Sequence, residues 1–181
     1  AGLWRLLHTS AKDRDVIHGM PDVYRLFRDQ HNVNRPLVFI SGSPMFFKRV
    51  LEKKMYLDRV LHDGFVLKPM KEMVAQKKRI PVSLLKEQIG YKLEALMRLR
   101  QALPPNAKEF LMGDDTEADL VVYSIYTKLL EGDLSERALK NLLIELKVNK
   151  GWQDKIFQLL PEFEASIGEK ANIVGIAIHK T

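Results

Sequence analysis

The chain is 181 residues long, has no cysteine, and carries 29 lysines and arginines against 23 aspartates and glutamates, a formal charge of +6. A hydrophobic content of 46% with 29% charged residues is that of an ordinary globular protein, so one domain with a real core is expected, and a disulfide framework and thiolate zinc sites are excluded. The positive charge favours anionic partners (phosphate esters, acidic membrane surfaces or nucleic acid) without choosing among them, and nothing calls for an oxidising compartment, so a cytoplasmic location is expected.

Ala1 to Leu7 reads like the inside of an element, and further sequence upstream is expected. Pro21 suits a first helical turn, and Val23, Tyr24, Leu26 and Phe27 supply an apolar face for a helix to about Gln30. Leu37-Val38-Phe39-Ile40 is a continuous apolar run, the pattern of a strand buried on both faces of a parallel sheet. Ser41-Gly42-Ser43-Pro44 is expected to turn into a helix carrying Phe46, Phe47, Val50, Leu51 and Leu57. Asp63-Gly64 introduces a second short strand, Phe65-Val66-Leu67, closed by Lys68-Pro69. Residues 68–79 are basic and aperiodic, a surface excursion long enough for a lid or cap, with Lys68, Lys71, Lys77, Lys78 and Arg79 read as solvated in preference to touching lipid head groups.

Helical spacing of Ile89, Leu93, Leu96, Met97, Leu99 and Leu103 predicts a helix over 85–103, weakened at Gly90 and stopped by Pro104-Pro105. A strand over 108–112 leads into the acidic turn Gly113-Asp114-Asp115, with Asp119 beyond it. A helix over 120–130 closes at Gly132, and Asp133 with Glu136 has capping-box spacing for another to about Lys147. One more helix is expected from Trp152 to Leu160, ended by Pro161, and Ile173 to Ile178 is a last strand. Alternation of these elements predicts an α/β fold with a mainly parallel central sheet of strands 37–40, 65–67, 108–112 and 173–178 and helices on both faces. Ligands of such sheets bind at the carboxyl ends of strands, where Ser41 and Asp114 fall. Neither long apolar run, 37–40 or 173–178, is long enough to cross a bilayer, so membrane contact is expected only at the periphery.

Carboxylates clustered on a tight glycine turn are the donors a hard cation such as Mg²⁺ takes. A strand ending in Ser41-Gly42-Ser43-Pro44, a lysine on a later helix and a strand ending in Gly113-Asp114-Asp115 with Asp119 resemble, in order, motifs two to four of the haloacid-dehalogenase (HAD) superfamily. Gly19-Met20-Pro21 through Tyr24, Phe39 to Pro44, Tyr91-Lys92 with Leu103-Pro104, and Met112-Gly113-Asp114 together resemble the actin-patch phosphatidate phosphatase family over about residues 15–130. The resemblance implies a HAD-like, Rossmann-type three-layer fold in a single domain, with 133–170 as a helical insertion. It implies catalytic roles for Ser41 and Lys92, phosphate contacts from Ser41, Gly42 and Lys92, and Mg²⁺ held by Asp114, Asp119 and Asp115. Ser41, Lys92 and Asp114 are accordingly expected to converge on one pocket.

The chain departs from that pattern in three places. No Asp-x-Asp pair follows an apolar strand before Ser41: Asp13 and Asp15 have the spacing but follow Ser10-Ala11-Lys12, so the aspartate nucleophile is expected upstream of Ala1. Gly42 stands where asparagine is commoner and Tyr91 where histidine commonly precedes the lysine. The implied function is Mg²⁺-dependent hydrolysis of a phosphate monoester, phosphatidate being the substrate the resemblance points to, through an aspartyl-phosphate on the upstream aspartate. These 181 residues alone would then be inactive. The alternative is a catalytically inactive HAD-like interaction domain that binds an anionic partner. Nucleic acid is not an expected partner, because no aromatic-and-basic stripe or recognition motif is present. His8, His18, His31, His62 and His179 lack zinc-ligand spacing.

Overall fold

The computed structural model describes residues 19–29, 35–69, 81–115, 118–169 and 171–180, with the side chains of 81–86 left aside. The expected lid over 68–79, apart from Lys68 and Pro69, and the Asp13/Asp15 pair lie outside the described residues. Internal contacts divide the chain into two compact units, 1–77 and 78–181.

In the first unit, Gly19 takes a positive φ of 85° and its carbonyl accepts from the Val23 amide, which starts helix α1, Met20–Asp29. Strand β1, Val38–Pro44, pairs in parallel with β2, Gly64–Lys68, in the register Val38↔Gly64 to Ser41↔Leu67. Parallel neighbours need a crossover. Here it is a 3₁₀ turn, Met45–Phe47, running into helix α2, Lys48–Leu57. Phe39 anchors an aromatic cluster, edge-on to Tyr24 at 5.2 Å and stacked on Phe65 at 5.3 Å, with burial raising the Tyr24 phenol pKa. Asp63 joins three elements: its carboxylate accepts from the guanidinium of Arg28 on α1 and from the Leu37 amide ahead of β1 at 2.7 Å, and it immediately precedes β2. The hydrogen bond from Arg28, then that from Leu37, holds the Asp63 carboxyl below its ordinary range.

Two expectations for this unit change. Ser41 to Pro44 are not a turn but the continuation of β1, because the register slips between Ser41 and Pro44 and leaves Gly42 and Ser43 as a bulge that extends the strand. Val38 to Ile40 are half-buried and not sealed on both faces, since β1 and β2 form only a two-stranded sheet.

The second unit contains helix α3, Pro81–Gln101, strand β3, Lys108–Asp114, helices α4, Asp119–Leu130, α5, Glu136–Glu145, and α6, Lys150–Ala165, and strand β4, Asn172–His179. β3 and β4 pair in parallel from Lys108↔Asn172 to Asp114↔His179. All pairings are thus parallel in an α/β chain, as expected, but the described strands form two two-stranded sheets and not one of four.

Gly90, expected to weaken α3, is where α3 meets α6: a Cβ there would stand 2.6 Å from the Trp152 Cβ and 2.9 Å from Val148. The glycine is a packing device, allowing the close approach that buries Leu93, Met97 and Ile156. Pro161 does not end α6, which runs on to Ala165; it occupies an exposed position where water can solvate the carbonyl that loses its amide partner. The cap of α5 is the Ser135 hydroxyl, accepting from the Ala138 amide, in place of the expected Asp133. Gly132 takes the left-handed conformation expected of a C-cap, φ 74°.

Candidate functional site at the end of strand β3

β3 ends at Asp114 and α4 starts at Asp119, so a short loop carries the chain from the carboxyl end of a parallel strand into a helix. The Tyr123 hydroxyl, one turn into α4, donates to the Met112 carbonyl at 2.7 Å and pins the helix to the strand end. Asp119 folds back over the loop: one oxygen, Oδ2, accepts from the Asp114 amide at 3.2 Å, and the other, Oδ1, takes a short ion-paired hydrogen bond from Lys92 Nζ. Lys92 lies midway along α3 and both side chains are nearly sealed, with 5% and 8% of their surface exposed. Gly113 makes this possible, since a Cβ there would stand 2.5 Å from the Asp119 Cβ. Any side chain at 113 would displace the carboxylate that holds the lysine.

A cation and an anion buried together must hold one another, because each uncompensated charge would carry a desolvation penalty of several kcal/mol. Lys92 is therefore fixed in position and direction beside the Asp114 backbone. Asp115 is exposed, and its amide donates to the His179 carbonyl at 3.1 Å, extending the β3–β4 ladder by one residue.

Among the described residues no group of three or more His, Asp or Glu side chains is arranged to hold a metal. Asp119 has both oxygens engaged, by Lys92 and by the Asp114 amide. The donor chemistry at the strand end still suits Mg²⁺, which keeps several waters and needs only one or two protein carboxylates.

Ser41 and Gly42 belong to the first unit, at the carboxyl end of β1. The Ser41 oxygen accepts from the Ser43 amide at 3.2 Å, a bond that leaves the hydroxyl proton available to donate elsewhere. Bulges of this kind re-aim backbone groups at strand ends and are common beside active sites. Lys68, read from the sequence as solvated, is buried at 7% exposure, the last residue of β2 and the register partner of Pro44.

The structure thus gathers Lys92, Gly113, Asp114 and Asp119 at one strand end and sets Ser41 and Gly42 at another. Tyr123 and the direct Lys92–Asp119 pair escape sequence reading. The i,i+4 spacing of Asp119 and Tyr123 on one helix face was the available signal for the first. Nothing in the chain marks the second, whose partners are 27 residues apart.

Parallel strand-helix units make this an α/β protein, with polar groups collected at the carboxyl ends of β1 and β3. Residues 1–135 match the family described as phosphatidate phosphatase APP1, catalytic domain, and the chain belongs to that family. Comparison with curated proteins and with solved structures gives no match. The matched span holds Ser41, Gly42, Lys92, Asp114, Asp115 and Asp119, whereas α5, α6 and β4 follow it. Among the described residues no helix is long and apolar enough to cross a membrane.

Proposed function

We propose that the chain supplies the phosphate- and metal-handling residues of a Mg²⁺-dependent phosphatase of HAD-like fold, acting on a phosphate monoester, with phosphatidate the candidate substrate. The observation that supports this best is the buried Lys92–Asp119 pair locked onto the Asp114 amide within a phosphatidate phosphatase family domain.

A phosphoryl group in transfer spreads negative charge over three equatorial oxygens, and catalysis consists largely of meeting that charge with groups already in place. Lys92 is such a group: Asp119 fixes its ammonium, so little reorganisation is needed when a phosphate arrives. Ser41 donates its hydroxyl to a phosphate oxygen, and the Gly42 amide, free of a side chain, approaches another. Mg²⁺, held by Asp114 with Asp119 and Asp115 orienting its waters, would neutralise phosphoryl charge when bound. In the covalent step an aspartate other than Asp114, Asp115 and Asp119 attacks phosphorus, the P–O ester bond breaks, and the leaving oxygen takes a proton from a second carboxylic acid acting as general acid, so that the alcohol departs. Water then cleaves the aspartyl-phosphate, releasing inorganic phosphate and restoring the carboxylate. The substrate would be met at a membrane surface by a peripheral, cytoplasmic protein.

The test is phosphate release by the full-length protein from phosphatidate in mixed micelles. Activity should require Mg²⁺, vanish in EDTA, and fall by about 10²-fold or more in Asp114→Asn and Lys92→Ala, the scale for losing a transition-state charge contact. Undiminished turnover in EDTA, or wild-type turnover in Asp114→Asn, refutes the reading. A folded protein that releases no phosphate but binds anions would be the non-catalytic interaction domain.

A further inference from the structure

We infer that helix α2 and the turns flanking it form a docking surface for an anionic lipid bilayer. The segment from Met45 to Leu61 exposes five large apolar side chains: Met45, Phe46, Tyr56, Leu57 and Leu61, with Tyr56 82% and Leu61 71% accessible. Tyr56, Leu57 and Leu61 are contiguous, lining one open depression with Arg59 and Val60. Arg49, Lys53 and Leu57 follow one another at four-residue intervals and Tyr56 lies seven beyond Arg49, so cations and apolar tips share one face of α2.

The charges on this segment are sorted. Glu52 is engaged by Lys48 at 3.7 Å and Asp58 by Lys54 at 3.0 Å. Arg49, Lys53 and Arg59 form no ion pair with any described residue, so the exposed face is cationic as well as apolar. Arg59 holds a left-handed backbone, φ 55°, at the turn between Leu57 and Leu61. Aromatic and leucine tips beside lysine and arginine heads suit the boundary between acyl chains and acidic head groups, where the apolar parts enter and the cations pair with phosphates. A nucleic acid would use the cations but offer nothing to Leu57 and Leu61.

The choice of lipid as partner rests on the phosphatidate reading; the surface itself does not. α2 runs back from the carboxyl end of β1 to its amino end, where Asp63 meets Leu37, so Met45 and Phe46 lie next to the Ser41–Pro44 bulge and Tyr56, Leu57 and Leu61 at the opposite end of the sheet.

The experiment is vesicle sedimentation of the full-length protein on pure phosphatidylcholine and on phosphatidylcholine with 30% phosphatidylserine (about one lipid in three, enough to set an anionic surface potential). Phosphatidylserine carries no monoester phosphate, so this arm is independent of phosphatase activity. Wild type should bind the acidic vesicles in a salt-sensitive way and the neutral ones weakly. At about fivefold per cation, Arg49→Glu with Lys53→Glu should weaken binding by at least about 25-fold, and Tyr56→Ser with Leu61→Ser by about tenfold or more. With these 181 residues free of cysteine and any cysteine elsewhere replaced by serine, Leu61→Cys bearing an environment-sensitive dye reports insertion directly and should brighten on acidic vesicles, while Lys140→Cys on α5 should not. Failure of wild type to bind acidic vesicles, retention of binding by both double variants, an unresponsive dye at 61, or tighter binding to polyglutamate than to vesicles would each overturn the proposal. Loss of phosphatase activity with binding intact would count against the enzymatic reading alone.

Discussion

Gly113 and Asp119 show how one atom at one position governs a charged centre. Gly113→Ala brings a methyl group to within 2.5 Å of the Asp119 Cβ, against the side chain whose carboxylate holds Lys92 in a buried salt bridge. The expected cost is about 1–3 kcal/mol in urea denaturation, as for other overpacked sites, with a larger fractional loss of phosphatase activity because Lys92 loses its anchor. Removing one partner leaves the other charged and sealed. Lys92→Ala and Asp119→Ala should therefore each destabilise the protein by about 3–5 kcal/mol, while Lys92→Met with Asp119→Leu should cost clearly less than the sum of the two. A strictly additive double variant would show that the pair is not coupled in solution.

Among the elements, Asp63 couples α1 to the two strands of the first sheet, and its behaviour sets a pH dependence. Its folded pKa lies below the ordinary value because Arg28 and the Leu37 amide bind the charged form. The stabilisation is therefore complete above the unfolded carboxyl pKa, about 3.9, and is lost as pH falls through the lower folded value. Asp63→Asn should flatten that acid limb, and salt should shrink the difference because the carboxylate is 42% exposed. In the second unit, α5 and α6 begin at side-chain caps, Ser135 onto Ala138 and Asn149 onto Trp152. Alanine at either should cost about 1 kcal/mol by thermal or urea unfolding. Gly90→Ala, which helix propensity alone would favour, should instead destabilise the protein because it pushes α3 off Trp152.

At the scale of the whole chain, the two units differ in how they are built. In residues 1–77 only Pro44, Phe47, Val60, Leu67 and Lys68 are buried among the described residues. The large side chains with almost no exposure, Tyr126, Phe163 and Leu93 among them, all belong to 78–181. There Arg100, fully sealed, donates to the Ala107 and Pro104 carbonyls and to Glu109, which also accepts from the Tyr126 hydroxyl. Burial, then the Glu109 charge, drives the Tyr126 pKa far up, so that phenol stays protonated and the network keeps its donor. Hydrogen exchange should accordingly be slowest in α3, α4 and α6 and markedly faster in α1, β1 and β2. Equal protection across both units would contradict this division.

The sequence by itself determined most of what short-range chemistry controls. Apolar runs and helical periods placed strands at 37–40, 65–67, 108–112 and 173–178, each overlapping an observed strand, and the helices that alternate with them, and glycine chemistry placed the cap at Gly132. Ordered motifs also pointed to the family to which residues 1–135 match. Tertiary structure decided what depends on partners distant in the chain. Gly90 reads as a weakness until Trp152 is seen against it; Lys68 reads as a solvated cation until its burial is known; the sealed position of Arg100 has no signal in the sequence; and the anchoring of Lys92 by Asp119 is set by the packing of α3 against α4. The physical reason is that local propensity depends on neighbours in sequence, whereas the energy of a buried charge depends on which groups surround it in space.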